Sequence, residues 1–203
     1  MSCQIDQKKI EDTVRFHGHT CPGLTIGIRA AELALHELAG STASDLVCVT
    51  ETDMCGVDAI QFLTGCTYGK GNLIHRDYGK MAFSFYDRKS GKGIRLLLRD
   101  DARGEHHEEL TGLMAKNMHG ELNDSEQERL HQLRQLSEKY LLQLPLEQVF
   151  HIEELANRPP RPARVLESLV CASCGEKTME SRTRRFAGKI LCVPCFDKVE
   201  QKV

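Results

Sequence analysis

Cys171-Ala-Ser-Cys174 and Cys192-Val-Pro-Cys195 form a C-x2-C-x17-C-x2-C pattern. At that spacing two knuckles each bring two thiolates to one tetrahedral zinc ion. A closed four-sulfur shell leaves no position for substrate, so this zinc is expected to be structural. Gly175 suits the tight turn after the first pair, and Met179 to Leu191 reads as a hairpin. Phe196 to Val203 would close a small zinc-ribbon or treble-clef-like module. So few apolar residues surround these cysteines that metal binding must supply much of the folding energy. Lys177, Arg182, Arg184, Arg185 and Lys189 make the hairpin basic. Nucleic acid is a conceivable contact for them, but a solvated surface is the commoner meaning of such a charge run and is favoured here.

A second set of donors lies near the start of the chain, in Phe16-His-Gly-His-Thr-Cys-Pro-Gly-Leu24. His17, His19 and Cys21 alternate, so an extended segment would turn all three to one side. Imidazole nitrogen with thiolate sulfur suits zinc, iron, nickel or copper better than magnesium or calcium. Pro22 reads as the first residue of a helix, which places Thr20 or Cys21 at its N-cap. A thiol there is expected to feel the helix dipole and ionise more easily. The plain competing reading is a capped helix start with two incidental histidines. Between Glu51 and Asn72, Cys55 falls just before a helix, Asp58 lies in its first turn and Cys66 just past its end. A straight helix would hold Cys55 and Cys66 roughly 16 Å apart, so Cys55 is the expected partner of His17 and His19. Cys66 then serves a turn or a separate polar contact. The candidate pocket is therefore His17, His19, Cys21, Cys55, Asp58 and Cys66. His17, His19 and Cys55 are the candidate ligands of a second transition metal, and Asp58 or Glu51 a nearby acid or base.

Other motifs carry less. Gly69-Lys-Gly-Asn72 leads into a strand and lacks the G-x4-G-K-[ST] spacing of a phosphate loop. His106 and His107, in Arg103-Gly-Glu-His-His-Glu-Glu109, read as a solvated helix start.

The elements that must position these groups follow from periodicity. Gln7 to Phe16 is an amphipathic helix. Pro22 to about Ala39 is a stronger one, apolar well beyond one stripe and so expected to be buried. In it Gly23 and Gly27 are expected to allow close helix–sheet packing. Leu46 to Thr50 reads as a core strand, Val57 to Thr64 as a helix, and Leu73 to His75, Lys80 to Tyr86 and Ile94 to Arg99 as strands, the last two a hairpin. Helices follow over Glu108 to His119 and Ser125 to Gln143, the second behind an Asn123 cap. Pro-rich residues from Asn157 to Ala163 make a stiff linker. The expected organisation is a core domain over 1–156, a linker over 157–167 and a four-cysteine zinc finger over 168–203.

The 203 residues are 40% hydrophobic and 28% charged, with a net charge of −2, which gives no global pull toward nucleic acid or anionic lipid. No run is long and apolar enough to cross a membrane, and the polar N-terminus does not read as a signal peptide. Nine cysteines with a cytoplasmic default then argue for metal ligands rather than disulfides.

The segments Phe16–Leu24, Glu51-Thr-Asp-Met-Cys-Gly-Val-Asp-Ala-Ile-Gln61, Gly65-Cys-Thr-Tyr-Gly-Lys-Gly-Asn-Leu73 and Asp77-Tyr-Gly-Lys-Met-Ala-Phe83 together resemble the FmdE family of formylmethanofuran dehydrogenase proteins. The four-cysteine finger is similar to that of members carrying a zinc module. The resemblance implies an α+β core with an antiparallel sheet flanked by helices, and a homodimer whose protomers could intertwine. It also implies an accessory place in molybdenum- or tungsten-dependent redox and one-carbon metabolism, as part of a larger redox complex. Nothing in the chain supplies molybdopterin or iron–sulfur machinery, and catalysis by the chain itself is left open. The alternative is a metal- or metabolite-sensing adaptor whose finger contacts a protein or nucleic acid.

Overall fold

A computed structural model of the protein describes residues 2–156 and 158–199. They fall into two compact units, divided after Pro162. The expected linker starts at Asn157, which lies outside the described residues; 158–167 carries neither helix nor strand. Among the described residues no helix is long and apolar enough to cross a membrane.

The first unit is α+β. Helices α1 (Gln7–His17) and α2 (Pro22–Glu37) lead to strand β1 (Leu46–Thr50), helix α3 (Gly56–Thr64) and strand β2 (Leu73–His75). The hairpin β3 (Ala82–Asp87) and β4 (Gly93–Leu98) follows, then a 3-10 turn over Asp100–Arg103. Helices α4 (His107–Met118), α5 (Asp124–Gln143) and the short α6 (Leu146–Val149) precede β5 (Phe150–Glu154). The sheet order is β2-β1-β3-β4-β5. All pairs are antiparallel except β1 with β2, which the α3 crossover makes parallel.

Helix α2 is buried without a break from Leu24 to Ala34, as its all-round apolar sequence demands. Leu33 joins Ile60, Phe83, Phe85, Leu96 and Phe150 in the main core. The two buried ionic residues of α2 are not left bare: Arg29 donates to Glu32 at 2.8 Å and to the Leu144 carbonyl, and Glu32 also accepts the Gln4 N–H at 2.6 Å. Gly23 and Gly27 serve a helix–helix contact rather than the expected helix–sheet one. A Cβ on Gly27 would strike the backbone oxygen, Cα and carbonyl carbon of Gly56, the first residue of α3. A Cβ on Gly56 would lie 2.9 Å from the Gly23 oxygen and 2.8 Å from the Met54 sulfur. The two helices therefore cross with backbone against backbone.

The second unit holds β6 (Ser168–Val170), β7 (Lys177–Met179), β8 (Thr183–Phe186), β9 (Lys189–Cys192) and α7 (Val193–Phe196). The expected hairpin is β8–β9, closed by Ala187 and Gly188 at φ 46° and 76°, which is the left-handed pair a two-residue hairpin requires. A second hairpin, β6–β7, encloses the first knuckle and was not foreseen, since strands of three residues are too short to show a period. The closing helix runs over Val193–Phe196, with Pro194 in its first turn, and ends where the expected one over Phe196 to Val203 begins; residues 197–199 form a turn, and the part expected over 200–203 lies outside the described residues.

Candidate functional site

Among the described residues two groups of donors converge, and each offers ligand atoms within 4.8 Å of one another. They are His17, His19, Cys21 and Cys55 in the first unit, and Cys171, Cys174, Cys192 and Cys195 in the second.

The first group assembles at the ends of three helices. His17 is the last residue of α1, not part of an extended segment. Gly18 caps that helix at φ 99° and donates its N–H to the Val14 carbonyl at 2.7 Å. The left-handed turn, easy only for glycine, folds His19 back so that the two imidazoles sit 4.5 Å apart. Cys21 is the N-cap of α2, its sulfur accepting the Leu24 N–H at 3.3 Å. Cys55 stands at the N-cap of α3, and the Gly23–Gly27–Gly56 crossing presses it beside Cys21. A helix end, a glycine cap and a helix crossing, not strand alternation, bring these four donors together.

Asp58 reaches this group through His17. The Nδ1–H of His17 donates to Asp58 Oδ2 at 2.8 Å, and Gln61 donates to the other carboxylate oxygen at 3.4 Å. That bond fixes the tautomer and leaves Nε2 as the nitrogen with a free lone pair. Nε2 is buried and has no partner among the described residues, on a side chain only 10% exposed. An orphaned buried acceptor costs about 1–3 kcal/mol, and a cation beside it removes that cost. A ligating histidine that donates its other N–H to a carboxylate is the usual support for a bound metal. Nitrogen and sulfur donors in this set fit a zinc-like ion.

The helix dipole does not lower the Cys21 pKa as expected. Burial and the neighbouring Cys55 push the Cys21 thiol up to about 11. Two thiols side by side resist joint ionisation, and only a nearby cation would reverse that. Cys66 does not join the four donors. It is fully buried, with its sulfur 3.5 Å from the Leu46 carbonyl.

Glu51 does not serve as a free acid or base. Arg95 grips it through two hydrogen bonds of 2.8 and 2.9 Å and holds its carboxyl below the ordinary 4.5. A depressed folded value means this pair stabilises the fold above the unfolded pKa and that its contribution fades as pH falls through the folded one. Glu51→Gln is therefore expected to lower stability at neutral pH, with the gap to wild type closing below about pH 4.5. Denaturant midpoints of both proteins along a pH series check this; a gap that stays constant into acid would refute it.

His19, Cys21 and Cys55 border a cavity of about 400 Å³. The 3-10 turn and α4 contribute Arg103 and His107, α5 contributes Arg134 and Ser137, and Met54, Met81 and Met114 supply apolar walls. Residue spacing does not reveal these lining groups. His107 reads as part of a solvated helix start, yet it lines the cavity, where burial and the Arg103 charge lower its pKa below 6.5. No local pattern marks such residues, because only the packing of α4 and α5 turns them inward.

In the second unit, Cys171 follows β6, Cys192 ends β9 and Cys195 lies in α7. The Cys174 and Cys192 sulfurs are 4.0 Å apart, and Cys192 donates its N–H to the Cys171 sulfur at 3.3 Å. Backbone N–H groups of Cys174 and Cys192 hold the Cys171 pKa down to about 6, which favours the thiolate a zinc site needs. The exposed Arg184 and Arg185 are adjacent in β8 and so point to opposite faces.

Residues 16–151 match the family model described as FmdE, molybdenum formylmethanofuran dehydrogenase operon. Residues 165–201 match the prokaryotic dksA/traR C4-type zinc finger. A protein of Archaeoglobus fulgidus described as a probable S-adenosyl-L-methionine-binding protein is 30% identical over 188 residues, covering 89% of this chain and 50% of its own length. The chain thus spans about half of that relative. The crystal structure of a tungsten formylmethanofuran dehydrogenase FmdE-like protein from Syntrophus aciditrophicus shares the fold, with a TM-score of 0.62 and 23% identity over 94% of this chain and 91% of that one. The family match takes in every donor of the first group, the finger match every donor of the second, and the chain belongs to the FmdE family.

Proposed function

We propose that the core unit is a metal-dependent pocket in which His17, His19, Cys21 and Cys55 hold a transition metal, with Asp58 fixing His17. The observation that carries this is the buried, unpartnered Nε2 of His17 at the convergence of three other soft donors. Such a metal, once bound, would supply Lewis acidity toward a molecule in the adjoining cavity only where one of the four donors left it an open position. The chain's own residues do the rest. Asp58 keeps the His17 lone pair aimed at the site, Cys21 and Cys55 release their thiol protons on loading, and Met54, Met81 and Met114 give the adjoining cavity an apolar wall. The finger carries a structural zinc on Cys171, Cys174, Cys192 and Cys195.

The family description and the tungsten-enzyme neighbour support an accessory role in molybdenum- or tungsten-dependent one-carbon redox metabolism. A cytoplasmic homodimer that joins a larger redox complex, with the domain limits given above, is part of this proposal. A second reading, a metabolite-sensing adaptor without core metal, draws on the archaeal relative's description as a probable S-adenosyl-L-methionine-binding protein.

Elemental analysis of protein purified without chelator or nickel resin separates the two. Wild type is expected to hold about two metal ions per chain and a His17→Ala/His19→Ala/Cys55→Ala variant about one. Asp58→Asn should weaken core-metal affinity by about 10- to 100-fold and leave the finger loaded. One ion in wild type and variant alike would transfer the lead to the adaptor reading.

A further inference from the structure

The cavity beside the donors has a one-sided charge. Arg103 and Arg134 border it, and among the described residues no aspartate or glutamate does. Elsewhere in this unit Arg15, Arg29, Arg95, Arg99 and Arg129 each pair with a carboxylate, while the half-buried Arg88 donates instead to the Pro160 carbonyl. Among the described residues neither Arg103 nor Arg134 has such a partner within 4.0 Å, though both are half-buried. Glu138, one turn beyond Arg134 on α5, is close enough to feel its charge but is not part of the lining. Two guanidiniums thus border one largely apolar cavity whose lining holds no carboxylate among the described residues, and half-buried donors of this kind are left with hydrogen-bonding capacity for an anion. The two come from distant parts of the chain, a 3-10 turn and the middle of a 20-residue helix. Guanidinium forks match planar or tetrahedral oxyanions through paired N–H donors. The remaining wall, with Met54, Met81 and Met114, is apolar and adaptable. About 400 Å³ lies within the range of sites for small organic molecules.

We infer that the molecule taken up beside the His/Cys cluster is a small organic anion, its carboxylate or phosphate group gripped by Arg103 and Arg134 and its apolar body laid against the methionines. This rests on the reading of the core as a ligand pocket and names its ligand class; it holds with or without a core metal. The anchoring group would lie toward α4 and α5, leaving the other end of the molecule to face His19, Cys21 and Cys55.

The test uses the full chain, titrated by calorimetry with hexanoate, hexylphosphonate and hexanol, with metal content measured on the same samples. The expected result is binding of one or both anions and none of the alcohol, the preferred anion telling carboxylate from phosphate. An Arg103→Gln/Arg134→Gln variant should bind roughly tenfold or more weakly while keeping its circular dichroism and metal content. Should that variant misfold, Arg134→Gln alone carries the comparison. Hexanol binding as well as hexanoate, an unchanged variant, or no binding by any probe would each overturn the inference. Wild type with metal in the finger alone would count against the metal reading and leave the anion titration to stand on its own.

Discussion

Gly27→Ala is expected to destabilise the core unit by about 3 kcal/mol or more, the upper end of what overpacking costs. An alanine in the middle of a helix ordinarily stabilises by about 0.5–1 kcal/mol, because glycine loses more backbone freedom on folding. Here the sign reverses. The added methyl would lie 2.6 Å from the Gly56 carbonyl carbon and closer still to its oxygen and Cα. Backbone cannot rotate away as a side chain can, so α2 and α3 must part. Gly112 in α4 is the internal control, since a Cβ there meets nothing within 4 Å, and Gly112→Ala should stabilise slightly. Denaturant unfolding of the two variants measures the contrast. Because Cys21 and Cys55 cap the two helices that separate, Gly27→Ala should also weaken the proposed core metal site without touching any of its donors. Equal stability of the two variants would show that the crossing yields at little cost.

Removing metal from the finger is expected to unfold it while the core stays folded. In this unit only Cys171, Leu191 and Cys192 are buried among the described residues, with Phe186, Cys195, Phe196 and Val199 partly so. Two of those three buried residues are themselves metal ligands in the proposed site. Against that thin core, zinc binding to such small modules contributes an apparent free energy of about 10–16 kcal/mol. Hydrogen exchange with and without a strong chelator reads this directly. Protection across β6 to β9 should vanish and protection across β1, β3 and β4 persist, with Cys174→Ser behaving as chelator does. Persistent protection in the finger after complete metal loss would mean that its hairpins hold without the ion.

Much of this is legible in the chain because it is local. The finger ligands come as two knuckles of four residues, so spacing alone brings each pair together. Helix α2 shows its burial through apolar residues on every side, and β1 and β2 end where the pattern says they end. His17, His19 and Cys21 stand out for a related reason: they lie within five residues of one another, close enough for any tight turn to gather them. Even there the pattern points to the wrong route, since a glycine cap and a strand both bring alternate residues to one side.

What the sequence left undecided depends on contacts between distant segments. The His17–Asp58 bond spans 41 residues, and its meaning, one nitrogen fixed and the other buried bare, exists only once α1 packs on α3. The Cys21 thiol would ionise more easily at an isolated helix end. Burial beside Cys55 reverses the shift, and burial is a property of the assembled fold. The Gly27–Gly56 crossing, which sets Cys55 beside Cys21, leaves no trace but two small residues in two helices. Arg103, His107 and Arg134 look like ordinary surface charge in the chain. They line one cavity with Pro22, Gly23 and Cys55 only in the folded chain, and no periodicity within α4 or α5 encodes what the other brings to it.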